Sequence, residues 1–191
     1  MKKKIIITTP LNKDIIEKLK IRDAVLITGN VYTARDQAHL RLVKLIKKRR
    51  KLPFSLKNQI IYYTGPTPRR NSSVIGSCGP TTSGRMDKFT PVLLKAGVKV
   101  LIGKGKRSPE VIQSIKKHKA VYLVAPAGAG AYLSTKVRKA EVVAFRDLGP
   151  EAIYRLEVKN FPAVVCIDSK GNNLYAKFNL ERKEIICKGM I

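Results

Sequence analysis

Hydroxyl side chains and a single cation stand together in residues 79–87, which read GPTTSGRMD. Glycine and proline favour a turn, and Thr81, Thr82 and Ser83 carry hydroxyls of the kind that cap a helix. The cation is Arg85, at the head of an apolar helical pattern. A guanidinium donates two parallel hydrogen bonds to a carboxylate, which fixes the direction of binding. The segment therefore predicts that Arg85 binds an anion.

Two further cations stand beside small or polar residues instead of in a charged run. These are Arg35 in TGNVYTARDQAH and Lys104 in GKGK. Like Arg85, each follows an apolar stretch that is typical of a strand. Ligands of α/β sheets gather at the carboxyl ends of strands, so we expect the three cations to converge. Two arginines and a lysine would suit a small dicarboxylate, although each cation taken singly is more simply surface charge.

The elements that must position these residues alternate along the chain. Apolar runs predict strands at 3–8, 24–28, 60–64, 73–78, 98–103 and 120–125, and later at EVVAF, IYRLEV and AVVCID. Helical periodicity predicts helices over 34–48, from Arg85 to Ala96 and from Pro109, and the spacing of Thr33 and Asp36 resembles a capping box. Continuous apolar strands are typical of sheets covered on both faces. We predict an α/β fold with a mixed, partly parallel sheet, as a single domain over residues 1–191.

The charge balance is strongly basic. The chain holds 39 Lys and Arg residues against 13 Asp and Glu, for a net charge of +26. Such a field attracts polyanions, so a nucleic-acid-binding module is one interpretation, and a surface for an acidic partner or small anion is the other. Aromatic residues make up 6% of the chain and tryptophan is absent, which disfavours the stacking platforms of single-strand binding proteins.

Other chemistries find little support in the sequence. GKGKRS lacks the spacing of a phosphate-binding P-loop, and the GAGAYL turn lacks a third glycine. Cys78, Cys166 and Cys187 form no CxxC pair, and His39 and His118 have no partners at metal-ligand spacing, so we expect no metal in this chain. The start MKKKIII is too short for a signal peptide, and no run of eighteen apolar residues exists. We therefore predict a cytoplasmic protein without membrane association.

The polar motifs, taken together, resemble one family. GPTTSGRMD, with TGNVYTARDQAH before it and GKG, PAGAGA and DSKGNNL after it, resembles the β subunit, or C-terminal domain, of the iron–sulfur-dependent class I fumarate hydratases and L-tartrate dehydratases. The similarity runs from TTP at 8–10 to GNNL at 171–174. It implies a swivelling β/β/α fold and the reversible hydration of fumarate to malate. Tartrate dehydration is the alternative within the family.

The resemblance also implies roles for individual residues. Arg35 and Arg85 match the family's carboxylate-binding arginines, Lys104 its active-site lysine, and Thr81 the threonine proposed as its base. An unperturbed hydroxyl is a poor base at neutral pH, so a role for Thr81 in orienting the substrate is equally open.

Three neighbours of these residues are candidates to orient them: Asp36, His39 and Thr82. For Asp36 the alternative is helix capping, and for His39 it is packing. The resemblance assigns a 4Fe-4S cluster to a larger α subunit and not to this chain. It implies an active site shared between the two subunits, in an α₂β₂ hetero-oligomer, and a β subunit that is inactive alone.

Overall fold

The computed structural model describes residues 4–69 and 73–177, in which strands and helices alternate. The strands are β1 (Ile5–Thr8), β2 (Ala24–Thr33), β3 (Ile60–Tyr62), β4 (Val100–Gly103), β5 (Val121–Val124), β6 (Val137–Ala144) and β7 (Ile153–Ile167). The α-helices are α1 (Lys13–Lys18), α2 (Asp36–Lys47), α3 (Thr90–Lys95), α4 (Pro109–Lys117) and α5 (Gly130–Ser134). Two 3₁₀ turns cover Ser83–Met86 and Arg146–Glu151, and residues 174–177 are helical.

The sheet is mixed, as the sequence predicts. Strands β1 to β5 lie side by side in chain order, and each neighbouring pair is parallel. Strand β7 runs antiparallel and pairs with both β5 and β2, so β2, β3, β4, β5 and β7 form a closed ring. Strand β6 pairs with β7 outside that ring. The fold class is therefore α/β with a mixed, partly parallel sheet.

Two apolar cores lie on opposite faces of the parallel strands. Alternate strand residues such as Ile27, Ile60 and Val100 form one core. The residues between them, such as Ile61, pack in the other core with residues from helices α2, α3 and α4, among them Leu42. Strands β3 and β4 are thus buried on both faces, which explains their continuous apolar sequence. Among the described residues, no helix has the length and apolar run that a membrane crossing requires.

The carboxyl ends of β2, β3 and β4 meet at one edge of the sheet, because these strands are parallel neighbours. Backbone pairing continues past their ends: Ala34 N donates to Tyr62 O at 3.0 Å, and Tyr63 N donates to Ile102 O at 2.8 Å. Arg35 and Lys104 leave the sheet at this edge, with the exit of β3 between them. This arrangement brings the chain positions of two of the predicted cations to the same edge of the sheet.

The prediction for the start of α2 is wrong. Strand β2 does not end at Thr28 but continues to Thr33, past an irregularity at Gly29, whose φ of 112° suits glycine. Thr33 does not cap the helix, because its Oγ1 donates to Ala152 O and accepts from Tyr154 N. The N-cap residue is Arg35, which makes no capping bond with its side chain.

The helix predicted from Arg85 to Ala96 is also wrong in its first half. Residues Ser83–Met86 form a 3₁₀ turn, and the α-helix begins only at Thr90. Pro91 stands at the start of α3, where its missing N–H costs no hydrogen bond, whereas it would interrupt a helix begun at Arg85. In contrast, the helix predicted from Pro109 is confirmed, with Ser108 Oγ accepting from Val111 N.

Two strand predictions differ from the structure for reasons of long-range pairing. Residues 73–78 form no strand; Cys78 N donates instead to Gly130 O, and Ser77 O accepts from Thr67 N. IYRLEV and AVVCID belong to one strand, β7, which runs through Asn160 at a φ of 53°. A single continuous strand results because β2 supplies a partner along most of its length.

Candidate anion-binding site at the strand ends

Asp36 joins two of the predicted cations. The Nε of Arg85 donates to Asp36 Oδ1 at 3.0 Å, and Nη2 of Arg35 lies 3.8 Å from Asp36 Oδ2. The structure therefore brings Arg35 and Arg85 to the same carboxylate, although they leave different strand ends. Asp36 contacts both arginines, as its predicted orienting role requires.

The hydrogen bond that Arg85 donates to Asp36 uses only the Nε of its guanidinium. The Arg85 side chain is 55% exposed, whereas that of Arg35 is 24% exposed. Asp36 binds Arg85 through Nε, so among the described residues the terminal Nη atoms have no hydrogen-bond partner. These two atoms form the planar pair that grips a carboxylate.

Two polar atoms of the same cluster are buried without a hydrogen bond. Within the described residues, Arg35 Nε and Asp36 Oδ2 have no such partner. Buried polar groups are normally paired, because an unpaired one costs about 1–3 kcal/mol. Arg35 Nε is thus a buried donor that no described residue satisfies.

Arg35 is placed by residues that the sequence did not single out. Its Nη2 lies 3.8 Å from Glu151 Oε1, and the other carboxylate oxygen of Glu151 accepts from Gln37 N at 2.8 Å. A Cβ on Gly65 would come within 2.9 Å of Arg35 Nη1. A side chain at position 65 would therefore have to share the space that this guanidinium occupies.

Thr81, Thr82 and Lys104 form a second group at the end of β4. Thr82 and Lys104 make an isolated parallel bridge, in which Lys104 N donates to Thr81 O at 3.3 Å and Ser83 N to Lys104 O at 2.8 Å. Thr81 N donates to Tyr63 O at 2.7 Å. Residues 79–82, which we call the GPTT segment, therefore extend the sheet beside Lys104.

Two glycines allow this segment to approach the strand ends. A Cβ on Gly103 would lie only 2.0 Å from Ser83 Oγ, so a larger residue there would displace the segment. A Cβ on Gly130, in the PAGAG turn, would lie 2.9 Å from Gly79 N. Both turns that follow β4 and β5 thus hold the GPTT segment closely.

The two groups are linked by the chain itself. Thr82 immediately precedes the 3₁₀ turn Ser83–Met86, which carries Arg85. Arg35 and Arg85 meet directly through Asp36, whereas Lys104 joins them only through this turn. The structure thus places the predicted residues on two connected loops at one edge of the sheet. Their binding of a substrate stays a prediction.

His39 is packed, not exposed. The residue is fully buried, its ring lies against those of Tyr63 and Phe89, and Nδ1 donates to Arg35 O at 2.8 Å. Burial lowers the pKa of His39 to about 4, so the ring is neutral at pH 7. His39 therefore contributes to the site by holding the backbone of Arg35.

A buried ion pair beneath the loops was missed by sequence reasoning. Arg107 Nε donates to Asp87 Oδ1 at 2.7 Å, and the Arg107 side chain is fully buried. In the sequence Arg107 is one of several cations in GKGKR, where nothing indicates burial. The signal that could have found it is Asp87, an acidic residue two positions after Arg85 in a chain poor in acidic residues.

The cysteines show no ligand geometry. Cys78 and Cys166 are free thiols buried in the two different cores, and burial raises the pKa of Cys78 to about 12 and that of Cys166 to about 11. Cys187 lies outside the described residues. Within residues 4–69 and 73–177, no cluster of three His, Cys, Asp or Glu side chains could hold a metal ion.

Comparison with protein families identifies the class to which this fold and site belong. The family described as Fumarase C-terminus matches residues 1–178, nearly the whole chain. The chain belongs to this family. The resemblance carried by GPTTSGRMD and its companion motifs is thereby confirmed.

Individual relatives agree with that assignment. A chain of Methanocaldococcus jannaschii, provisionally named L(+)-tartrate dehydratase subunit beta, is 41% identical over 88% of this chain and 90% of its own. The L(+)-tartrate dehydratase subunit beta of Escherichia coli K12 is 37% identical over 96% and 94%. The mitochondrial fumarate hydratase 1 of Leishmania major is 36% identical over 84% of this chain, which corresponds to 30% of that longer protein.

Proposed function

We propose that this chain is the β subunit of a heteromeric hydro-lyase that reversibly hydrates fumarate to malate. In this proposal it supplies dicarboxylate-binding residues to an active site shared with an α subunit. The observation that carries the proposal is the meeting of Arg35 and Arg85 at Asp36, within the motifs that carry the family resemblance. Relatives named as β subunits support a heteromeric assembly.

Arg85 and Arg35 would bind one carboxylate of the substrate. The exposed Nη pair of Arg85 offers two parallel donors, and the guanidinium of Arg35, at the same Asp36 carboxylate, adds a second positive charge. Asp36 keeps the guanidinium of Arg85 in one orientation, so little is lost in ordering it when an anion binds. The carboxylate end of a dicarboxylate is therefore held in a fixed direction.

Lys104 would act on the charge that develops during the reaction. When the C3 proton leaves malate, the neighbouring carboxylate becomes a dianionic aci-carboxylate and carries more negative charge than in the ground state. A fixed ammonium beside that group stabilises the transition state more than the substrate, which raises kcat and not only affinity. Contacts of this kind are worth roughly 2–4 kcal/mol.

Thr81 is held beside Lys104 by its own backbone hydrogen bonds. Tyr63 O fixes the Thr81 N–H, and Thr81 O accepts from Lys104 N. In the proposal its hydroxyl faces the reacting carbons, where it either accepts the proton or orients the substrate for another base. The first role would need the positive field of Arg85 and Lys104 to stabilise the alkoxide, and the two roles stay equally open.

The proposal assigns the 4Fe-4S cluster to the α subunit. The described residues of this chain do not fit such a group, since Cys78 and Cys166 are buried in separate cores. When bound in the partner, the cluster would supply a Lewis acid for the leaving hydroxyl. We propose an α₂β₂ assembly, a swivelling β/β/α type for the fold, and a cytoplasmic location, which free buried thiols suit.

L-tartrate is the second candidate substrate. The relatives from M. jannaschii and E. coli carry tartrate dehydratase names, whereas the fumarate hydratase relative matches over only 30% of its own length. Tartrate differs from malate by one hydroxyl, and contacts to that hydroxyl from the α subunit would decide between the substrates.

The test of the proposal is anaerobic reconstitution with the α subunit. The complex is expected to consume fumarate, followed by the ultraviolet absorbance of its double bond, and parallel assays with tartrate follow oxaloacetate. The isolated chain should turn over neither substrate. Turnover by the isolated chain would contradict the shared site, and a complex inactive on both substrates would contradict the assignment as a hydro-lyase.

A further inference from the structure

Arg107 lies directly beneath the two loops of the candidate site, three residues after Lys104. The residue is 6% exposed, and its guanidinium has no contact with solvent. A buried guanidinium is costly unless its donors are satisfied. Burial lowers the pKa of Arg107, but Tyr63 and Asp87 raise it by more, so the net shift is upward and the group stays charged.

Arg107 stands in the connection that carries Lys104, and its donors reach the chain that follows Arg85. Nε donates to Asp87 Oδ1 at 2.7 Å, and Nη2 donates to Thr90 Oγ1 at 2.7 Å. The second oxygen of Asp87 accepts from Ser108 N at 2.6 Å. The chain just after Arg85 is therefore bonded to the chain just after Lys104 by one carboxylate and one guanidinium.

Two tyrosines extend this connection to the rest of the site. The Cζ of Arg107 lies 5.3 Å from the ring centroid of Tyr63 and 5.0 Å from that of Tyr122, which is the range of a cation–π contact. Tyr63 O accepts the N–H of Thr81, and Tyr122 Oη donates to Ser83 Oγ at 2.9 Å. Tyr122 Oη also lies 2.9 Å from Gly105 O.

We propose that Arg107 is a positioning residue for the anion-binding loops. Through Asp87, Tyr63 and Tyr122 it fixes the GPTT segment, the turn of Arg85 and the loop of Lys104 relative to one another. The geometric part of this inference is independent of the chemistry, and its effect on turnover rests on the proposed function. An exposed arginine pair elsewhere would have no such effect, because its hydrogen bonds reach neither the GPTT segment nor the loop of Lys104.

The chain offers a matched control. Arg41 donates to both oxygens of Asp147, at 2.8 and 2.5 Å, but this pair is exposed and joins the middle of α2 to the turn Arg146–Glu151. Arg107→Lys and Arg41→Lys make the same chemical change, since each keeps the charge and removes the planar fork. Asp87→Asn tests the same ion pair by removing the negative charge of its acidic partner.

Hydrogen exchange on the full isolated chain tests the geometry without any assay of activity. The amides of Thr81, Ser83 and Lys104 are bonded across the loops. In Arg107→Lys and Asp87→Asn their exchange should accelerate by at least about tenfold, while amides in the middle of α2 stay protected. Arg41→Lys should change none of them. Retained protection of the three amides in both Arg107→Lys and Asp87→Asn would overturn the proposal.

Kinetics of the reconstituted complex then test positioning. A small misplacement of binding groups reduces turnover strongly, so Arg107→Lys should lower kcat by at least about tenfold although the amides in the middle of α2 stay protected. Arg41→Lys should keep the parent kcat. A kcat for Arg107→Lys within about twofold of the parent would overturn the proposal. If even the parent complex is inactive, the proposed function fails while the exchange experiment still decides the role of Arg107.

Discussion

At the scale of single residues, the candidate site depends on the orientation of the Arg85 side chain. Arg85 is bonded through Nε to Asp36, and this leaves the Nη pair exposed in one direction. Lysine in the same place would offer a compact charge without a preferred plane. Arg85 differs from the other exposed cations because it is an arginine held by a carboxylate, that of Asp36.

Asp36→Ala should lower kcat of the reconstituted complex by roughly tenfold, because Arg85 loses the group that orients it. KM should rise by a smaller factor, since removal of a negative charge also strengthens the attraction of the site for anions. Steady-state kinetics of the variant separate the two constants, with Asp147→Ala as the control. An unchanged kcat with the entire loss in KM would show that Asp36 does not orient Arg85.

His39 predicts a dependence of stability on pH. Its pKa is about 4 in the folded chain against an ordinary 6.5, so between these values the unfolded chain binds a proton that the folded chain does not. Stability should be independent of this group above about pH 6.5 and fall by up to about 3 kcal/mol as the pH drops to 4. Urea unfolding across this range measures the change.

The control for this experiment is a comparison of two variants. His39→Gln removes the buried ring, and its unfolding free energy should depend less on pH than that of the parent. His118→Gln, at the half-buried end of α4, should keep most of the parent dependence. If the parent and His39→Gln curves run parallel from pH 7 to pH 4, the pH dependence does not come from His39.

At the scale of elements, the site is made by loops that leave neighbouring parallel strands. The connections after β2, β3 and β4 carry Arg35, Arg85 and Lys104, and the turn after β5 packs against the GPTT segment. Close approach of these loops depends on glycine. At Gly103 a side chain would collide with Ser83 Oγ, whereas the space around Gly84 is open.

Gly103→Ala should therefore destabilise the chain by roughly 1–3 kcal/mol and displace the GPTT segment, because the new Cβ needs the space of Ser83. Gly84→Ala, in the adjacent turn, should change stability by less than about 1 kcal/mol. Thermal or urea unfolding of the two isolated variants makes the comparison. Equal stabilities would show that the contact at Gly103 does not restrict the loop.

Patterns of a few residues predicted many of the strands and helices. Apolar strands such as β1, β3, β4 and β5, and the helix that begins at Pro109, follow from patterns of a few residues. The failures involve partners far along the chain: β2 extends to Thr33 because β7 pairs with it, and the helix after Arg85 is delayed by Pro91 and by the contact of Asp87 with Arg107.

In the candidate site, too, local patterns predicted some residues and missed those whose role depends on contacts with distant parts of the chain. Arg35, Arg85, Thr81 and Lys104 stood out by their neighbours in sequence, and the strand order explains why their loops meet. Burial of Arg107 and the contact of Glu151 with Arg35 depend on packing between elements, which no local pattern encodes. The candidate ligand-binding residues were thus easier to find than the residues that hold them in place.

At the scale of the whole molecule, the net charge of +26 exceeds what the site requires. The run KKRRK at 47–51 is exposed at the end of α2, where cations also match the helix dipole. An excess of this size attracts any polyanion at low salt, and it suits docking to an acidic partner. Charge alone therefore does not distinguish the nucleic-acid alternative from the proposed enzyme.

The salt dependence of DNA binding distinguishes a nucleic-acid-binding module from the proposed enzyme subunit. The isolated chain should bind short duplex DNA at low salt without sequence preference, and the affinity should fall to roughly micromolar or weaker at physiological salt. Arg85→Ala should leave this binding almost unchanged, because one exposed cation contributes little to a general field. Tight, sequence-dependent binding that persists at physiological salt would favour the nucleic-acid alternative.

The most direct test of the account replaces Arg85 in the reconstituted complex. If its guanidinium grips a carboxylate of the dicarboxylate, Arg85→Ala should lower kcat/KM by at least about a hundredfold, and Arg85→Lys should recover only part of the loss. Arg41→Ala, in an exposed pair, should behave as the parent. Near-normal kcat/KM for Arg85→Ala, in a complex that assembles normally, would contradict the account.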